Sequence, residues 1–161
     1  MRNALGARGE AIFYVLMTEF HSEDGPIFRP QFLGEKWPTV DFVVELLGAG
    51  SAVPFFFVQV RTTRSGFTAR QQRLKVRVSH ANLRRLGQIP APTYVIGIDE
   101  IEETGYILSA NGESATRIAS LPTAHPIDRR RREQLWNEVY EYWEARQMTG
   151  FRSAFADPAW N

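Results

Sequence analysis

Hydrophobic positions recur along this chain with two periods, and the switches between them mark its elements. Over residues 7–20, "ARGEAIFYVLMTEF", Ala11, Ile12, Val15, Leu16 and Phe20 fall at helical spacing and predict an amphipathic first helix. The stretch "HSEDGP" ends it with turn residues. "IFRPQFL" alternates as a strand does, and Pro30 restricts that strand to a sheet edge. "VDFVVELL" and "FFFVQVRTT" are two further strand-like runs, and the Gly-rich connector "GAGSAVP" between them has hairpin character. After the polar loop "RSGFTARQQR", the pattern of "LKVRVS" predicts a short strand. Ser79 then stands as the N-cap of a helix "HANLRRL" that Gly87 ends. "YVIGID" is the continuous apolar run of a central strand, with "GYILSA" as its antiparallel neighbour. A long helix over residues 127–148 carries Leu135, Trp136, Val139, Tyr142 and Trp143, whereas residues 149–161 show no strong pattern.

The order is helix, three strands, short helix, two strands, helix. Strands alternating with helices predict an α/β fold with a central mixed sheet flanked by helices. At 161 residues the expectation is a single domain, 1–161. There is no cysteine, which excludes disulfides and thiolate metal sites and suits a reducing compartment. "MRNALGARGE" lacks the apolar stretch of a signal peptide, and "AVPFFFV" is far shorter than the ~20 residues that span a bilayer. The expected location is cytoplasmic, with no membrane partner.

The formal net charge of +1 hides an asymmetry. Between Leu46 and Ile98 there is no acidic residue, yet Arg61, Arg64, Arg70, Arg73, Lys75, Arg77, Arg84 and Arg85 all fall there. The acidic cluster "DEIEE" follows at once, at 99–103. A long acid-free basic segment suits a surface that tracks phosphates, because Lys and Arg replace condensed counterions. Arginine makes up 17 of the 19 basic residues, as a compositional bias would produce, but such a bias does not remove carboxylates. Arg64, Arg70, Arg73, Lys75, Arg77, Arg84 and Arg85 are therefore the candidate nucleic-acid contacts.

Counting from the hairpin midpoint near Ser51 sets position 41 opposite about 61, and position 43 opposite about 59. Side chains alternate along strands, so Asp41, Gln59 and Arg61 then share one face at one end of the hairpin. Two readings fit. Asp41, the Gln59 amide oxygen and the Val60 carbonyl offer the oxygen donors that a hard cation such as Mg2+ takes. Equally, Asp41 and Arg61 suit a cross-strand ion pair, worth little where exposed.

Glu10 in the first helix, Asp41 opening the second strand, and Gln59-Val60-Arg61 ending the third resemble the PD-(D/E)xK, restriction-endonuclease-like nuclease superfamily. The matching stretches are "RGEAIF", "TVDFVVEL", "FFFVQVRTT" and "PTYVIGIDE", across about residues 5–110. They are similar to a bacterial branch of that superfamily with a Q-x-K/R triplet. The resemblance implies an α-β-β-β-α-β core followed by a long C-terminal helix. It implies Mg2+- or Mn2+-dependent hydrolysis of DNA phosphodiester bonds, in a setting such as bacterial phage defence. The catalytic residues would be Glu10, Asp41, Gln59 and Arg61. Asp41, Gln59 and Val60 would hold the metal, and Glu10 would support it. A homodimer or a subunit of a defence complex would be the assembly.

Two substitutions depart from the superfamily pattern. Gln59 is neutral where an acid is usual, which removes one negative charge from the metal site. Arg61 stands in the lysine place and does not deprotonate, so it cannot act as a general base. It can clamp a phosphate oxygen or stabilise charge in the transition state. The alternative function is therefore a catalytically degenerate module that binds nucleic acid or a partner on the same fold. A small regulatory subunit whose basic segment faces an acidic partner is a third class.

The remaining signals are weaker. Glu10 also suits a first-turn carboxylate favoured by the helix dipole, and Glu45, on the face of Asp41, suits either a further ligand or a plain exposed strand residue. His21, His80 and His125 lack metal-ligand spacing. "RRRR" at 129–132 fits either a phosphate-binding patch or a solvated face. Trp136, Tyr140 and Trp143 fit a core or a subunit interface better than base-stacking platforms.

Overall fold

The computed structural model describes residues 3–50, 53–70, 72–112, 117–146 and 151–160. The elements, in chain order, are α1 (Ala4–Met17), β1 (Phe28–Phe32), β2 (Phe42–Leu46), β3 (Phe55–Thr63), α2 (His80–Gly87), β4 (Thr93–Asp99), β5 (Thr104–Ser109), α3 (Arg129–Glu144) and a 3-10 turn, Pro158–Trp160. This is the α/β order that the periodicity predicts. The five strands form one mixed sheet in sequence order, β1-β2-β3-β4-β5. Only the β3–β4 pair is parallel, and α2 lies in the connection between them.

Alternation along the strands builds two cores, one on each face. On the first face Phe56, Val58, Val60, Tyr94, Ile96 and Ile98 pack with Ile12 and Phe13 of α1 and with Leu135 and Val139 of α3. On the second, Val95 joins Leu83 and Leu86 of α2, the segment Leu74, Val76 and Val78, and Ile118 and Leu121. β4 is buried along its whole length, as the central-strand reading requires. Pro30 lies on the edge strand β1, where the N–H it lacks is not needed.

Several boundaries differ from those expected. α1 begins three residues earlier, because the Asn3 side chain accepts the Gly6 N–H and caps it, and it ends at Met17. Gly87 is the last residue of α2 and not a left-handed terminator, since Gln88 closes that helix in the right-handed region. The N-cap at Ser79 is as expected, with its hydroxyl accepting the Asn82 N–H. "LKVRVS" forms no ladder. Its alternation is real, with Leu74, Val76 and Val78 buried, but it meets neighbours only at single bridges, Phe67↔Leu74, Leu74↔Leu121 and Val78↔Ile118. α3 spans Arg129–Glu144 with Asp128 as its cap, and Gln147 and Met148 of the expected range lie outside the described residues.

α3 is tied down by side chains that read as core in the sequence. Trp136 Nε1 donates to the Leu47 carbonyl and Trp143 Nε1 to that of Phe55. Within "RRRR", Arg132 is buried, because its guanidinium crosses to α1 and donates to Glu19 and, at the limit of hydrogen-bond length, to the Leu16 carbonyl. Beside it, His21 pairs with Glu133 at 2.9 Å. The Tyr94 hydroxyl donates to Glu138, and burial, then the hydrogen bond and charge of Glu138, push its pKa far above the ordinary tyrosine range.

A raised pKa favours the neutral form in the folded protein. The associated stability is complete below about pH 10 and falls above it, as the unfolded chain ionises first. Alkaline unfolding followed by circular dichroism should show this loss, and Tyr94→Phe should lack that component. A second prediction concerns α1. A Cβ on Gly9 would sit 1.7 Å from Thr62 Oγ1 on β3, so this glycine sets how closely helix meets sheet. Gly9→Ala should cost about 1–3 kcal/mol through overpacking, measured by urea denaturation, although alanine normally favours a helix by about 1 kcal/mol.

Candidate functional site at the end of beta-2

β2 and β3 pair antiparallel with Phe42 opposite Val58 and Val43 opposite Phe57. The register is thus two residues tighter than counting from Ser51 predicts, and extending it by one sets Asp41 level with Gln59 and not with Arg61. The two strands are unequal: β2 begins only at Phe42, whereas β3 runs past the level of Phe42 to Thr63 against β4.

The end of β2 is a β-bulge. Phe42 is the register partner of Val58, yet the Asp41 N–H also donates to the Val58 carbonyl, at 2.9 Å. Val40 packs in the second core and Phe42 in the first, so one extra residue sits between positions that would otherwise share a face. On the other side the ladder stays in step, with the Leu33 N–H donating to the Asp41 carbonyl. The Asp41 side chain turns toward β3, and its Oδ2 accepts the Val60 N–H at 2.7 Å. A carboxylate oxygen thereby replaces the strand carbonyl that would have met Val60.

That bond fixes the direction of the Val60 carbonyl. The N–H and C=O of one strand residue point the same way, so this carbonyl is aimed to the β2 side, where the ladder has ended. Gln59 and Arg61 alternate with Val58 and Val60 and belong to the second face, level with Val95 and Gly97. Gln59 is 3 % exposed, and its Oε1 has no hydrogen-bond partner. Arg61 is half-buried, and its Nε likewise has none. No Asp41–Arg61 ion pair forms among the described residues.

Glu10 comes from the other face, on α1, one residue after the glycine pressed against Thr62. It meets Asp41 in a cleft of about 430 Å³ at the end of the sheet, which Phe32, Glu35, Trp37 and Thr39 of the β1–β2 region also line. Gln59 and Arg61 do not line that cleft. Glu10 and Asp41 therefore share one cleft, while Gln59 and Arg61 flank the Val60 residue whose N–H binds Asp41. Among the described residues no group of three or more His, Cys, Asp or Glu side chains could hold a metal ion. Glu45 lies away from the cleft, opposite Arg29, with which it pairs at 3.4 Å.

The basic segment is divided by the fold. Arg64 pairs with Glu100 at 3.0 Å, and Arg8 of α1 pairs with Glu100 and Glu103, so the acidic cluster takes up part of the charge. Arg73 is spent internally, donating to the Ser120 hydroxyl and carbonyl at 2.9 Å each. Lys75 and Arg77 alternate outward from the buried Leu74, Val76 and Val78, and Arg70, Arg84 and Arg85 are also exposed. Reasoning on sequence overlooked Trp37 and Phe32, whose only signal was aromatic residues flanking a polar loop near Asp41. No helix of the described residues is long and apolar enough to cross a membrane.

No protein-family model, curated protein or solved structure matches this chain.

The Asp41–Val60 bond gives a direct test of the bulge. Asp41→Ala removes the acceptor of a strand N–H and should cost about 1–3 kcal/mol, with hydrogen exchange at the Val60 amide accelerated. Asp41→Asn keeps an oxygen acceptor and should leave that exchange near wild type.

Proposed function

We propose that this chain is a Mg2+- or Mn2+-dependent nuclease-like domain that hydrolyses DNA phosphodiester bonds, on a restriction-endonuclease-like α-β-β-β-α-β core. The observation that carries the reading is the buried, unpartnered Gln59 Oε1 next in sequence to the residue whose N–H anchors Asp41. An orphaned amide oxygen in a protein interior costs about 1–3 kcal/mol and calls for a partner. A water molecule or a cation would serve, and oxygen donors are what Mg2+ selects.

In this reading Asp41 and the Val60 carbonyl would hold the ion at the end of the sheet, Gln59 Oε1 would join from the second face of β3, and Glu10 would support it from α1. A bound divalent ion supplies a more acidic attacking water and counter-charge for the phosphorane. Arg61 stays cationic and clamps a non-bridging phosphate oxygen. With a neutral amide in place of a carboxylate the ion is held weakly, so millimolar metal is needed. Phage defence and a homodimer or defence-complex assembly are settings consistent with such an enzyme.

One observation favours a second reading, a degenerate module that binds nucleic acid without cutting it. The triplet supplies no base, since Gln59 has none and Arg61 keeps its proton. The outward Lys75 and Arg77 would serve either function.

Cleavage of plasmid and of labelled oligonucleotides in Mg2+ and Mn2+ decides between them. Wild type should cut, Asp41→Ala should lose at least about 100-fold in rate, and Gln59→Glu should lower the metal concentration required. Identical behaviour of wild type and Asp41→Ala over all substrates would remove the hydrolytic reading. Salt-sensitive binding that survives Asp41→Ala but weakens on neutralising Lys75 and Arg77 would then support the binding module.

A further inference from the structure

The β1–β2 loop adds something the hydrolytic residues do not require. Trp37 is 50 % exposed and Phe32 40 % exposed, and both line the cleft that holds Glu10 and Asp41. The indole lies on the Phe57 ring, with centroids 5.8 Å apart and planes 22° from parallel. Phe57 is itself packed on the second core and braced edge-on by Phe55, so Trp37 is backed on one side by fixed structure. A large aromatic surface is thus held open beside two carboxylates.

The backbone beneath it is also constrained. Thr39, between Trp37 and Asp41, has φ = 74°, a left-handed conformation that is strained for a β-branched residue. Burial of Val40 and the Leu33–Asp41 hydrogen bond hold this turn in place. Strain of this kind persists where surrounding contacts impose it, and here it fixes Trp37 relative to Asp41.

We propose that Trp37 is a base-stacking platform and that the strand bound at Asp41 is unpaired DNA. This inference rests on the proposed function of the adjacent carboxylates. Beside Glu10, Glu35 and Asp41 the cleft offers the exposed neutral ring of Trp37, and such a ring accepts the face of any base. Bases within a duplex are already stacked on both sides, so a fixed indole reaches only a base that is unpaired. The ligand class is therefore single-stranded DNA, or the unpaired end or flap of a duplex.

The test is equilibrium binding, without hydrolysis, of a 20-nucleotide oligo-dT and of a 20-base-pair blunt duplex in EDTA and in Ca2+. Wild type should prefer the single strand. Trp37→Leu keeps an apolar contact with Phe57 but loses the stacking face, and should weaken single-strand binding about 5- to 100-fold with duplex binding unchanged. Trp37→Phe should stay within about threefold of wild type on the same ground, and melting temperatures identify any variant that has unfolded. Single-strand affinity unchanged in Trp37→Leu overturns the proposal, and so does an equal loss on single strand and duplex. Cleavage in Mg2+ is followed in parallel. Selective loss in Trp37→Leu without any cleavage upholds the platform and removes the hydrolytic reading. Asp41-dependent cleavage indifferent to strandedness and to Trp37→Leu does the reverse.

Discussion

One hydrogen bond organises the end of this sheet: the Val60 N–H donating to the Asp41 carboxylate at 2.7 Å. β3 is longer than its neighbour β2, so beyond Val58 its β2-side donors and acceptors have no strand to meet. A buried backbone N–H without a partner is costly. The bulge at Asp41 meets that requirement with a side chain, and in doing so brings a charged group into the plane of the sheet. Three consequences follow from the one substitution of carboxylate for carbonyl. The Val60 carbonyl is aimed into the opening, Asp41 comes to line the cleft that Glu10 also lines, and the loop before Asp41 turns through a strained residue, Thr39, to enter β2.

The same opening explains why polar atoms remain unsatisfied where packing is otherwise complete. Among the described residues, Gln59 Oε1, Arg61 Nε and Thr62 Oγ1 of β3 are buried side-chain atoms without hydrogen-bond partners. Thr62 faces α1, where the absence of a side chain on Gly9 lets helix and sheet touch. Gln59 and Arg61 face the other way, toward the core beneath α2, where Gly97 gives Leu74 and Leu121 room beside Arg61's level. Apolar side chains at 59 and 61 would remove these unmet donors and acceptors, and the chain carries an amide and a guanidinium instead. Local choices that conflict with the global packing are expected where a ligand completes the site.

The order of elements was legible because burial imposes pattern: β2 alternates and α1 repeats at helical spacing, while the fully buried β4 reads as one continuous apolar run. Register was less legible. Counting from Ser51 sets the midpoint one residue late, because β2 ends at Leu46, so Leu47 already belongs to the connector, and Leu46 lies level with Pro54. The bulge left no pattern at all, since "TVDF" reads as uninterrupted alternation until Val40 and Phe42 are seen on opposite faces. "LKVRVS" shows the reverse failure: alternation records which side is buried, but a strand also needs a neighbour along its length. Arg132 escaped notice because its burial depends on Glu19, far away in sequence. Trp37 escaped because one tryptophan in a polar loop has no period.

Charge, too, changes meaning when the chain folds. The acid-free segment suggested a continuous basic surface, yet Arg64 is shared with Glu100 and Arg73 is committed to Ser120. Of the cations left facing outward, Lys75 and Arg77 lie on the layer that includes Phe57, the ring supporting Trp37. Under the proposed function this separates two kinds of recognition. Phosphates would be drawn to the outward cations, and a base would be met by a neutral ring in the cleft that Glu10 and Asp41 line. A glutamine at position 59 then acquires a reason beyond departure from a pattern. With Glu10, Glu35 and Asp41 already lining the cleft, another carboxylate nearby would hold a cation better but repel the strand more strongly. An amide keeps the oxygen donor and omits the repulsion, trading metal affinity for tolerance of an anionic substrate.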